Sequence, residues 1–139
     1  MWILGDRSNF LGIESENVYA INNFINLKEV VDSESYAILN GNVKEIKFRA
    51  GATYILTLDN KLYVSGETLT SSWVGNYNIG ISSTNEDGSK NYGTFKFVEI
   101  LDNVVLFEAH NMSNFAVTNE EEEYKLYVWG RNDGYSIGQ

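Results

Sequence analysis

The chain has 139 residues, of which 43% are hydrophobic and 14% aromatic, and a disordered chain carries fewer apolar side chains than this. Ten Lys and Arg residues against nineteen Asp and Glu residues give a formal net charge of -9. This charge repels phosphate groups and argues against direct binding to nucleic acid or to an anionic membrane. The chain has no Cys, so disulfides, thiolate metal ligands and cysteine nucleophiles are excluded.

The many Tyr, Phe, Val, Ile and Thr residues favour strands over helices, so we expect an all-β fold. No apolar run in the sequence reaches the roughly 20 residues that span a bilayer. The first residues lack the basic end and the apolar core of a signal peptide. We therefore expect a soluble protein of the cytoplasm or of another intracellular compartment.

In chain order, the first predicted element is a strand at Met1 to Gly5, MWILG, which a polar loop follows. Two further strands are predicted at Phe24 to Val31 and at Ser35 to Leu39. They precede Asn40-Gly41, a dipeptide that suits a two-residue hairpin because both positions tolerate a positive φ.

The next segment is predicted to form three strands joined by short turns. These strands are Val43 to Phe48, Tyr54 to Thr57 and Lys61 to Gly66. A long loop, Glu67 to Gly80, comes next, and it leads into Ser82 to Gly93, which is rich in Ser, Asn, Asp and Gly. Such a composition is typical of a linker.

The same pattern returns in the second half of the chain. KLYVSG at Lys61 to Gly66 recurs as KLYVWG at Lys125 to Gly130, and the opening MWILG is a partial third copy. Two apolar runs, Val104 to Ala109 and Phe115 to Thr118, precede the second full copy as their counterparts precede the first. The copies differ in length in their turns, as a structural repeat predicts.

At its end, the second copy resembles a known repeat family. The segment Tyr127 to Gly138 is similar to the signature of the regulator of chromosome condensation repeat, a Trp-Gly-x-Asn followed by a Gln-Leu-Gly-like close. The residues that fit this signature are Trp129, Gly130, Asn132, Ile137 and Gly138. The segment Phe115 to Thr118 resembles the family's Leu-Ala-Leu-Thr run, whereas Leu4 and Ser65 replace the signature Trp in the other copies.

The resemblance implies antiparallel four-stranded blades of a β-propeller. We expect a partial propeller: residues 1–13 close a preceding blade, 14–81 form one blade, 82–94 form a linker loop and 95–139 form a second blade. A propeller of this family has about seven blades, so two blades leave open edges. We therefore expect a parent chain or other subunits to supply further blades.

No residue pattern points to a catalytic, cofactor or metal site, and we expect a protein that is not an enzyme. His110 is the only histidine, and a lone histidine without cysteines is a poor metal site. The segment Asn85 to Gly88 superficially resembles a calcium loop, but Thr94 stands where a bidentate Glu is required.

We expect the function of a protein-interaction scaffold that presents loops to a protein partner. Loop aromatics, the signature loop and an acidic turn that suits a basic partner are the candidate contact residues. They are Trp73, Tyr77, Glu120, Glu121, Glu122, Glu123, Arg131, Asn132 and Tyr135. Two alternatives stay open: a regulator of a small GTPase with guanine-nucleotide exchange activity, as some members of the family are, and a structural subunit of a large assembly.

Overall fold

The computed structural model describes residues 2–6, 20–29, 31–49, 52–67, 70–71, 75–76, 79–82, 84–91, 93–110 and 113–130. Its strands are β1 (Trp2–Asp6), β2 (Ala20–Asn26), β3 (Val43–Arg49), β4 (Ala52–Thr57), β5 (Leu62–Glu67), β6 (Thr70–Ser71), β7 (Gly75–Asn76), β8 (Gly93–Leu101), β9 (Val104–Ala109), β10 (Ser113–Glu120) and β11 (Glu123–Gly130). One α-helix, α1 (Ser33–Leu39), and one turn of 3-10 helix, Leu27–Glu29, lie between β2 and β3 in this part of the chain.

The fold is mostly β and every strand pairing in the described residues is antiparallel. We call the four-stranded sheet β3-β4-β5-β8 sheet one and the three-stranded sheet β9-β10-β11 sheet two. The described residues also form two smaller pairs of strands, β1-β2 and β6-β7. The expectation of an antiparallel β fold is confirmed at this level.

The two sheets reproduce the repeat of the sequence. In sheet one, β3, β4 and β5 correspond to the three predicted strands of the first unit, and β9, β10 and β11 correspond to those of the second. The fourth strand of sheet one is β8, which pairs with β5. Residues 95–101, which the repeat boundaries assign to the second unit, thus hydrogen-bond within sheet one.

One apolar cluster joins the two sheets face to face. It lies between β4 and β5 on one side and all three strands of sheet two on the other. Its buried residues are Ala52, Tyr54, Leu56, Leu62, Val64, Ile79, Val104, Phe107, Ala116 and Trp129. The rings of Tyr54 and Phe107 are 5.2 Å apart, and Phe107 stacks on Trp129 at 6.1 Å.

The opposite face of sheet one is covered by α1. Leu39 of the helix packs with Ile55 of β4 and Phe97 of β8 in a second apolar cluster. Because successive side chains of a strand point to opposite faces, a strand covered on both sides has no exposed residue. All six residues of β4 are buried.

The predicted strand at Ser35 to Leu39 is wrong, because these residues form α1. Asp32 is the N-cap of this helix: its side chain accepts hydrogen bonds from the backbone N–H groups of Glu34 and Ser35, both at 3.0 Å. Ser35 and Leu39 are buried, whereas Ala37 between them is exposed, and this pattern follows the helical period rather than the alternation of a strand. The expectation of an all-β chain is corrected accordingly to a mostly β chain.

Two neighbouring predictions are also corrected. The strand expected at Phe24 to Val31 lies earlier, at Ala20–Asn26, and the 3-10 turn follows it directly. Gly41 does adopt a positive φ of 79°, but Asn40-Gly41 connects α1 to β3 instead of joining two strands.

Candidate functional site

The outer face of sheet two, the one turned away from sheet one, is mainly apolar. Leu106 of β9, Val117 of β10 and Leu126 of β11 are cross-strand neighbours in one row. Phe115 and Val128 are neighbours in the next row. Leu106, Leu126 and Val128 are 48%, 66% and 39% exposed, and contiguous apolar surface of this kind marks interaction sites in soluble proteins.

The same positions are buried in sheet one. Leu62 and Val64 of β5, the counterparts of Leu126 and Val128 in the KLYV repeat, are each 0% exposed because they pack against sheet two. Tyr54, the counterpart of Phe115, is buried in the same interface. The exposed face of sheet two is therefore the repeat equivalent of a sheet-packing face.

The interface between the sheets contains a buried polar network around Tyr54. Its hydroxyl donates to the carbonyl of Ile79 at 3.0 Å and accepts from Trp129 Nε1 and Asn114 Nδ2, both at 3.3 Å. A Cβ added to Gly80 would lie 2.8 Å from Ile100 Cδ1 and 3.3 Å from Trp129 Nε1. The residue after Ile79 must therefore stay small for the network to close.

A lysine connects the ends of the two sheets. Lys47 of β3 donates to the carbonyl of Phe107 at 2.7 Å and pairs with Glu108 at 2.7 Å and with Glu45 at 3.3 Å. Burial lowers the pKa of Lys47, but the bonds to Glu108 and Glu45 outweigh burial and leave that pKa raised. The Lys47 bond lowers the pKa of Glu108, so both groups stay charged at neutral pH.

The acidic turn lies at the opposite end of β10 and β11. Glu121 and Glu122 form its two corner residues with φ values of 50° and 71°, a conformation that Asn or Gly adopts more readily. Glu121, together with Glu120 and Glu123, borders an open cavity of about 780 Å³ between this turn and the turn that contains Asp102. The carboxylates give this cavity a negative potential that suits a cationic group.

Glu120 is held by its own hairpin instead of facing solvent freely. It forms an ion pair with Lys125 and accepts hydrogen bonds from Thr118 Oγ1 at 3.1 Å and Tyr127 Oη at 3.3 Å. The bond from Lys125, and then that from Thr118, lower the pKa of Glu120. The predicted acidic turn thus contains one paired carboxylate and three exposed ones, Glu121, Glu122 and Glu123.

The other predicted contact residues, Trp73, Tyr77, Arg131, Asn132 and Tyr135, lie outside the described residues. His110 is exposed, and its backbone N–H donates to Ser113 at 3.0 Å. Within the described ranges, no group of three or more His, Cys, Asp or Glu side chains could hold a metal ion. In the same ranges, no helix is long and apolar enough to cross a membrane.

Sequence reasoning missed both the outer face of sheet two and the Tyr54 network. The exposed face does have a signal in the sequence. In β9 to β11, apolar residues occur on both faces of the strands, a pattern typical of a strand covered on two sides. Comparison with family models, with curated proteins and with solved structures found no match, and the resemblance to the chromosome-condensation repeat therefore stays a prediction.

Proposed function

We propose that this chain is a non-enzymatic protein-interaction scaffold made of stacked propeller blades, and that the outer face of sheet two is one of its binding surfaces. The observation that carries this proposal is the exposure of Leu126 and Val128, whose repeat counterparts Leu62 and Val64 are fully buried. A residue type that packs against a sheet in one copy is suited to the same contact in the next.

The packing of the two sheets supports a propeller arrangement because it joins unlike faces. Sheet one contributes the face of Tyr54, and sheet two contributes the face of Ala116. By the repeat, Ala116 is the counterpart of Ile55, which lies on the other face of sheet one. Blades that stack front to back in this way are the building principle of a propeller.

A partner on the outer face of sheet two gains free energy chiefly from apolar burial. Full burial of a Leu or Val side chain is worth about 1.5–3 kcal/mol, and several such side chains lie in adjacent rows here. The acidic turn borders this sheet and would add steering toward a basic partner. The exchange-factor and structural-subunit alternatives stay predictions.

The test uses a charge placed on the outer face at β9, the strand of sheet two that does not adjoin β11. Leu106→Lys should abolish association through the face, and Ala37→Lys, which adds the same charge at an exposed position of α1, is the matched control. Native mass is measured by light scattering over a hundredfold range of concentration. We expect the wild type and the control to exceed 15.7 kDa at high concentration, and Leu106→Lys to stay a monomer.

A wild-type chain that stays monomeric throughout would contradict self-association through the outer face of sheet two. An equal mass for Leu106→Lys and the wild type at every concentration would show that another surface carries the contact.

A further inference from the structure

In two of the three copies of the repeat, the strand that contains the repeat glycine pairs with a strand that comes later in the chain. The MWILG strand β1 pairs with β2, and the KLYVSG strand β5 pairs with β8. In sheet two, the KLYVWG strand β11 pairs only with β10 among the described strands. An edge strand of this kind presents a row of hydrogen-bonding groups to a further strand.

The edge of β11 has nearly the same sequence as the edge of β5. The six residues Lys61 to Gly66 and Lys125 to Gly130 differ at one position, where Ser65 is replaced by Trp129. Trp129 points into the core between the sheets and is 9% exposed. The groups on which β8 docks in sheet one are therefore also present on β11.

A carboxylate of β8 recognises two side chains of the β5 edge. Glu99 lies opposite Tyr63 and accepts from Lys61 Nζ at 2.9 Å and from Tyr63 Oη at 3.1 Å. The bond to Glu99 raises the pKa of Lys61. Val98 of β8 is paired with Val64 next to this contact.

On β11, the equivalent lysine and tyrosine bind a carboxylate from within their own hairpin. Lys125 and Tyr127 both contact Glu120, which lies at the end of β10. Glu120 thus takes in sheet two the place that the fourth-strand carboxylate Glu99 has in sheet one. Lys125 and Tyr127 thus already have a carboxylate partner, but a carboxylate on a fourth strand could take the place of Glu120.

The backbone of β11 is also oriented for strand addition. β10 and β11 are joined by a two-residue turn with an unbroken register from Glu120–Glu123 onward. In such a hairpin the flanking pair is hydrogen-bonded and bonded pairs recur at alternate residues. Leu126 and Val128 therefore direct their N–H and C=O groups away from β10.

We propose that the β11 edge binds an extended strand of another polypeptide, antiparallel to β11, with apolar side chains beside Leu126 and Val128 and a carboxylate opposite Tyr127. On binding, this carboxylate replaces Glu120 as the partner of Lys125 and Tyr127. We infer this occupant from the β5–β8 contact, in which the carboxylate of Glu99 lies opposite Tyr63 and Val98 lies opposite Val64. The inference goes beyond the proposed function, because it holds whether or not the outer face of sheet two binds another sheet.

The first experiment uses a peptide with the sequence of β8, GTFKFVEIL, and the full chain labelled for NMR. We expect shifts and slowed hydrogen exchange at the amides of Leu126 and Val128. A control peptide with Lys in place of the Glu should bind at least tenfold more weakly. Equal binding of the two peptides would overturn the proposal. Shifts at Leu62 and Val64 would also overturn it, because they would mean that the peptide displaces β8 from β5.

Two variants of the protein, with the peptide unchanged, test the same edge. Val128→Pro removes a donor that points away from β10, so it should keep the hairpin and abolish peptide binding. Glu120→Gln weakens the bonds of residue 120 to Lys125 and Tyr127, with which the peptide carboxylate competes, so it should lower the Kd for the peptide several-fold. This variant tests the proposal even if the proline variant fails to fold. An unchanged Kd for Glu120→Gln would overturn the replacement of Glu120.

A measurement without peptide decides whether a second copy occupies the edge. Mixed labelled and unlabelled chains should show no intermolecular contacts between the backbone atoms of β11 strands, which association through the side chains of the outer face would not produce. Such contacts would mean that β11 pairs with itself, which would overturn the proposed occupant. None of these outcomes depends on Leu106, so failure at the edge and failure at the outer face are read separately.

Discussion

At the scale of single residues, the Tyr54 hydroxyl determines how the two sheets are matched. It joins β4, β10, β11 and the segment before Ile81 through three hydrogen bonds in an interior closed to water. A buried group without a partner costs about 1–3 kcal/mol, so a small displacement of one sheet is penalised at several atoms. Asn114 Oδ1 is buried without a partner in the described part of the chain, and it is the one unbalanced group of this network.

Tyr54→Phe tests this role, because it removes the hydroxyl and keeps the ring between Phe107 and Trp129. Trp129 Nε1 and Asn114 Nδ2 then lose their acceptor and the carbonyl of Ile79 loses this donor. We expect the free energy of unfolding, measured by urea denaturation, to fall by about 1–3 kcal/mol. Tyr124→Phe, at a residue that is 72% exposed, is the matched control and should change it by less than about 0.5 kcal/mol.

At the scale of elements, α1 shows how a seven-residue helix forms in a mostly β chain. So short a helix is unstable alone, and two contacts stabilise it: the Asp32 cap and the packing of Leu39 on Ile55 and Phe97. Burial raises the pKa of Asp32, but the hydrogen bonds from Ser35 and Glu34 outweigh it and leave that pKa lowered. Ser35 also accepts from the backbone N–H of Phe97 at 3.3 Å, which ties the helix to β8.

Asp32→Ala should lower the free energy of unfolding by about 1 kcal/mol, because two N–H groups of the first turn lose their acceptor. Asp32→Asn keeps an acceptor oxygen and should be close to the wild type in the same urea experiment. If the Asn variant were as unstable as the Ala variant, the negative charge and not the cap would be the stabilising feature.

At the scale of the whole molecule, the two sheets depend on one core. Phe107 contacts Tyr54 of sheet one and Trp129 of sheet two, and Lys47 lies 5.3 Å from the centre of its ring. Neither sheet keeps its buried face without the other. We therefore expect the two sheets to unfold in one cooperative transition.

Phe107→Ala should lower the free energy of unfolding by about 3–5 kcal/mol and reduce hydrogen-exchange protection in both sheets. Leu106→Ala is the control on the neighbouring residue of β9, which faces solvent, and its effect should be well under half as large. Loss of protection confined to sheet two would show that sheet one is stable by itself.

Much of this fold follows from the sequence, and the failures have physical reasons. The apolar runs of the two units and the KLYV repeat predict β3 to β5 and β9 to β11 correctly, whereas β8, the fourth strand of sheet one, was not predicted. At Ser35 to Leu39 the residue types suit a strand, and the sequence signal for the helix is its N-cap residue, Asp32. Local propensity is a weak guide where tertiary packing decides.

The candidate surfaces were harder to predict from sequence. The partners of the Tyr54 hydroxyl are 25, 60 and 75 residues away in the chain, and no spacing rule connects such positions. The exposure of Leu126 depends on which face of sheet two sheet one covers, and that is a property of the packing. The acidic turn, by contrast, is visible in the sequence as four consecutive Glu residues, although the pairing of Glu120 is not.

The position of α1 gives the stack of sheets a direction. The helix covers sheet one over Ile55 and Phe97, whereas the outer face of sheet two has exposed apolar side chains. The face of sheet one under α1 is therefore closed to a further sheet, whereas the outer face of sheet two is open. In the proposed stack of blades, a further unit would therefore pack outward from sheet two, and a unit on the helix side would first have to displace α1.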